Sequence, residues 1–110
     1  MKFEVKKKYL SLRPDQFVQR RCSYARIVDF KTQQESFANR LGRDFYPRFH
    51  LYLEEKVDNG EEIVVFNLHL DQKQVGQSET RHSAEYDGEQ VAAEIARLKS
   101  LVIENYHQGV

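Results

Sequence analysis

Two runs of alternating residues, 49–56 and 63–71, flank Val57-Asp58-Asn59-Gly60-Glu61-Glu62. Asn-Gly is the strongest short-range signal for a two-residue type I′ hairpin turn, which needs positive φ at both central positions. With the turn at Asn59-Gly60, Phe49 faces Leu70, Leu51 faces Leu68 and Leu53 faces Phe66 on one side of the ribbon. On the other side His50 faces His69, Tyr52 faces Asn67 and Glu54 faces Val65. A slip of one residue would turn every side chain to the opposite face, so the pattern allows few alternatives.

An apolar hairpin face must be covered by another element. The sequence supplies one: Val91, Ile95, Leu98 and Val102 recur at helical spacing, and Asp87 with Gln90 forms a reciprocal capping pair. The predicted fold is therefore α+β: a small antiparallel sheet built on the central hairpin (49–56 and 63–71), with a C-terminal helix over about 88–106 packed on its apolar face. Neither repeats nor a Pro/Gly/Ser-rich linker divide the chain, so residues 1–110 read as a single domain.

The remaining elements are shorter. Residues 2–5 alternate weakly, and 9–12 can continue them as an edge strand. Pro14 suits a first helical position with Asp15 in the first turn, for a short helix to about Arg21. Residues 24–30 have strand composition. Thr32 and Glu35 form a capping box for a helix over 33–41, with Phe37 and Leu41 on one face and Gly42 at its end. Between Asp71 and Asp87 lies a polar stretch, 72–86, whose length is uncommon for a connection in a small domain.

Cys22 is the only cysteine, which excludes an intrachain disulfide and fits a reducing compartment. The first eight residues carry no apolar run of the kind a secretory signal needs, and no stretch approaches the roughly 20 apolar residues that span a bilayer. The expectation is a cytoplasmic protein without a membrane partner. Formal charge is balanced overall, yet residues 1–48 hold 12 Lys/Arg against 5 Asp/Glu, and residues 49–110 hold 5 against 12. Such asymmetry points to nucleic acid for the basic half, or to attraction between the halves within one fold or across a homodimer.

Three candidate sites follow. His50 and His69, as cross-strand partners, can converge on a divalent metal such as zinc, with Asp71 as ligand or orienting group and His82 reaching back from the polar stretch. In that reading Glu85 is the general base, and Arg48 or Lys73 neutralises a phosphate; the spacing matches no metalloenzyme signature. The alternative is a cross-strand polar pair of structural use only. The second candidate is nucleic-acid binding by Arg40, Arg43 and Arg48 beside Phe45 and Tyr46, with Lys6, Lys7 and Lys8 as further phosphate ligands. Against it stands burial of the aromatic residues in the core. The third, Cys22, lacks a histidine that sequence can bring to it, and reads as a small apolar residue.

The segments Tyr46-Pro-Arg-Phe-His-Leu-Tyr, Phe66-Asn-Leu-His-Leu-Asp-Gln-Lys and His82-Ser-Ala-Glu-Tyr-Asp-Gly resemble a recurrent pattern in small, uncharacterised prokaryotic proteins of similar length. The resemblance covers 46–88 and implies a self-contained domain with no known activity. The leading expectation is a small binding or interaction module without catalysis, whose candidate partners are nucleic acid through its basic half or another protein chain through the exposed sheet face. The alternatives are a metal-dependent hydrolase or nuclease centred on His50, His69, Asp71 and His82, and a structural homodimer joined through the polar sheet face.

Overall fold

The computed structural model describes residues 1–72, 85–86 and 88–108, with the side chains of Glu85, Tyr86 and Gln108 outside the description. Its centre is the expected hairpin, longer at both ends: β4 is Arg48–Asp58 and β5 is Glu61–Asp71. Every anticipated pair is present, from Phe49 opposite Leu70 to Glu54 opposite Val65. Asn59 and Gly60 have φ of 51° and 80°, as a type I′ turn requires. A Cβ at Gly60 would meet no atom within 4 Å, so a side chain there is opposed by backbone conformation alone. Gly60→Ala should therefore cost about 1–2 kcal/mol. Denaturant unfolding would register this as a lower midpoint at unchanged slope.

Around the hairpin the chain adds β1 (Lys2–Lys6), β2 (Ala25–Val28), β3 (Glu35–Arg40) and β6 (Glu85–Tyr86). The six strands form one antiparallel sheet in the order β1-β5-β4-β3-β2, with β6 also on β5. β1 pairs with β5 from Ile63 to Asn67 and β6 pairs with Leu70 and Asp71, so the two lie end to end along one edge of β5. The helices are α1 (Pro14–Arg20), with Pro14 in its first turn, and α2 (Glu89–Gln108). α2 opens at Gly88, whose carbonyl accepts from the Ala92 amide at 2.9 Å. Asp87, the expected cap, lies outside the described residues.

The core occupies the predicted face. Val91, Ile95, Leu98 and Val102 of α2, with Phe17 and Val18 of α1, pack against Phe3, Val5, Phe37, Leu51, Val64, Phe66, Leu68 and Leu70 of the sheet. α2 is thus the expected cover, extended by two residues beyond 106. None of the described helices is long and apolar enough to cross a membrane.

Two expectations fail. Residues 9–12 are not a strand: Tyr9 ends a 3₁₀ turn over Lys7–Tyr9, and Leu10 drops into the core. The segment 33–41 is not a helix either; Glu35–Arg40 is β3, paired with β2 and β4. Phe37 and Leu41, four apart, satisfy a period of two as readily as one of 3.6, and burial of Phe37 opposite Leu51 decides for the strand. The local signal lies in Asp29 rather than Thr32. The Asp29 carboxylate accepts from the backbone amides of Lys31 and Thr32, both at 2.9 Å, and closes the β2–β3 turn. Those two bonds hold its pKa below the usual carboxylate value.

Candidate functional site

The sheet face turned away from α2 carries the residues of interest, because parity along β3, β4 and β5 brings them together. Ala38 pairs with His50 and His50 pairs with His69, so both histidines sit on this face as the hairpin register requires. Tyr52 lies between them, its ring centroid 4.5 Å from that of His50 and 6.2 Å from that of His69.

The His50 ring has a close polar neighbour on each side, hydrogen-bonded at Nε2 and near by distance alone, without hydrogen-bond alignment, at Nδ1. Its Nδ1 stands 2.9 Å from Oδ2 of Asp71, and its Nε2 stands 2.8 Å from the Oγ of Ser36. Asp71 and Ser36 are both buried, at 1% and 6% exposure. The Arg48 Nε also donates to Oδ2 of Asp71, at 3.2 Å, which gives the buried carboxylate a positive partner. Oδ1 of Asp71 has no hydrogen-bond partner among the described residues. The arrangement is a continuous polar line across three strands: hydroxyl on β3, imidazole on β4, carboxylate on β5.

This line uses two of the anticipated metal ligands differently from the expectation. His50 and Asp71 meet each other directly, and Arg48 occupies the same carboxylate oxygen. Among the described residues no group of three His, Cys, Asp or Glu side chains is placed to hold a metal ion. His82 and Lys73 lie outside the described residues; the Glu85 backbone faces Asp71 from β6, but its side chain is not described. Ser36 is the member that sequence reasoning missed.

The basic residues divide into two groups at opposite ends of the hairpin. Lys6, Lys7 and Lys8 sit near its turn, where Lys7 reaches Glu55 at 2.7 Å and Lys6 reaches Glu61 at 3.4 Å. Lys8 lies 3.9 Å from Glu61. Their charges are answered by the acidic half of the chain. A depression of about 660 Å³ there is lined by Lys7, Lys8, Arg13, Glu61 and Glu62 together, a mixed-charge surface. At the other end Arg40 and Arg43 make no ion pair among the described residues. The Arg40 guanidinium lies 4.0 Å from the centroid of Phe45, and that of Arg48 lies 4.6 Å from the centroid of Tyr46. Phe45 is 62% exposed, so the expected alternative of core burial does not hold for it. Ala25, Ile27 and Ala38 floor a depression of about 450 Å³ that Arg40, Phe45 and Arg48 also line.

Cys22 is buried, and burial pushes its thiol up to about 12. It is a thiol at neutral pH and no nucleophile. Compared with protein-family models, curated proteins and solved structures, the chain finds no significant match.

Proposed function

We propose that the protein is a binding module that holds a short stretch of single-stranded nucleic acid at the Arg40–Arg48 end of the sheet. The observation that supports the reading most is the pairing of two guanidinium groups with two aromatic rings beside one shallow, small-residue floor. Arginines neutralise phosphates, and aromatic rings offer stacking platforms to bases of any sequence. Arg40 and Arg43 favour this end, because they make no ion pair among the described residues, whereas carboxylates already answer Arg48 and the lysines of the Lys6–Lys8 end.

The test is titration of a fluorescent oligothymidylate at two salt concentrations. Binding should weaken as salt rises, because each phosphate contact releases a counterion. Replacing both Arg40 and Phe45 by alanine should weaken it by about tenfold or more, since one base–aromatic stack alone is worth about 1–3 kcal/mol. Binding that ignores salt, or survives that double replacement, would overturn the reading. The same face is the one a second copy could use, so sedimentation with and without oligonucleotide is also informative. A dimer that persists when oligonucleotide is bound places self-association elsewhere.

A further inference from the structure

We propose that Ser36, His50 and Asp71 form a nucleophilic triad that transfers small acyl groups from esters to water. The inference is independent of nucleic-acid binding and rests on the polar line itself. Asp71 Oδ2 lies 2.9 Å from His50 Nδ1, close enough for the carboxylate to support the ring's charge, although the two are not aligned as a hydrogen bond. The Ser36 hydroxyl stands 2.8 Å from His50 Nε2, within reach for proton transfer in the tautomer that carries its hydrogen on Nδ1. Nucleophile, base and orienting carboxylate therefore stand in the order that activates a serine, a geometry recognised by roles and not by chain position.

Other parts of the surface support the assignment. Going along the same face, Tyr52 follows His50 on β4, Asn67 is its cross-strand partner, and Gln34 precedes Ser36 by two residues. Gln34, Tyr52 and Asn67 line one depression of about 490 Å³ together with Leu53 and Glu54, and the Tyr52 ring stands beside that of His50. The two carboxamides and the phenol are donors of the kind that stabilise an oxyanion. Arg48 Nε donates to the same Asp71 oxygen at 3.2 Å and gives the buried carboxylate a positive partner. The low exposure of Ser36 limits the acyl group to a small one such as acetyl.

Ser36 Oγ forms a bond to the ester carbonyl carbon while its proton passes to His50 Nε2, and the carbonyl π pair moves onto oxygen. Return of that pair breaks the carbon–alkoxide bond, and the departing alkoxide takes the proton from Nε2, leaving Ser36 acylated. Water then attacks the acyl carbon, giving a proton to Nε2. Collapse expels Ser36 Oγ, which recovers that proton and releases the carboxylic acid.

The experiment is hydrolysis of p-nitrophenyl acetate by the full chain, with intact-mass and peptide-mass analysis of the acetylated protein and of protein treated with a fluorophosphonate. The expected result is turnover above buffer, with label on Ser36. Ser36→Ala and His50→Ala should each lower the rate by about 100-fold or more, the range for loss of general acid–base catalysis. Circular dichroism of each variant checks folding, and Ser36→Cys, close in size, should retain acetylation at position 36. Absence of both turnover and label in the wild type would overturn the proposal. So would hydrolysis unchanged by Ser36→Ala, or label only on lysine or tyrosine.

Discussion

Phe66→Ala should destabilise the fold by about 3–5 kcal/mol, the range for removing a large aromatic side chain from a packed core. Phe66 is fully buried on β5. It faces Leu53 on β4 and Phe3 on β1, and its ring stacks on that of Phe3 with centroids 4.7 Å apart. Val91, Ile95 and Leu98 of the helix layer belong to the same buried cluster. A void there touches three strands and α2 at once, so little can collapse into it. Since domains of this size are stable by only about 5–15 kcal/mol, the loss is a large share of the total. Chemical denaturation of wild type and variant measures it. A change below 1 kcal/mol would mean that the hairpin face and the helix are not packed as described.

Arg97→Ala should cost about 2–3 kcal/mol through the carboxylate it leaves behind. Glu94 is buried on α2, and the Tyr24 hydroxyl donates to its Oε2 at 2.6 Å. Arg97 donates to both carboxylate oxygens, at 2.7 and 2.8 Å, and to the Cys22 carbonyl at 2.9 Å. Burial, then the bond to Glu94, pushes the Tyr24 hydroxyl well above its ordinary pKa, so it remains a donor at any working pH. Removing the guanidinium strands a buried charge with one neutral donor. The Arg97 side chain is 41% exposed, which keeps the expected cost below that of a fully enclosed pair. In the Glu94→Gln background Arg97→Ala should cost much less. Equal cost in both backgrounds, measured by thermal unfolding, would show that the ion pair carries none of the effect.

The hairpin was readable to the residue because turn chemistry and side-chain parity both bear on one register. At Asn59-Gly60 the turn length is set, and every pair from Phe49 with Leu70 onward follows from it. The helix stripe was readable for a similar reason: its four apolar residues fit no other period. Segment 33–41 was not, since Thr32 and Glu35 offer a helix cap while the strand is decided by pairing with distant residues. Tertiary pairing overrode the local preference. That single misreading also hid Ser36. With 35–40 taken as a helix, nothing brings its hydroxyl beside His50, whereas as β3 it stands on the neighbouring strand. The histidine pair was legible, but the direction of the His50 ring depended on Ser36 and Asp71 jointly.

The position of β1 bears on how the chain is made. β1 leaves the ribosome before the other strands of this sheet, yet the strand it joins is β5, some sixty residues later in synthesis. Phe3 and Val5 therefore have no cross-strand partners until β5 has emerged. A nascent chain stalled before Glu61 would present that segment to chaperones, and completion of β5 is the event that ends its exposure.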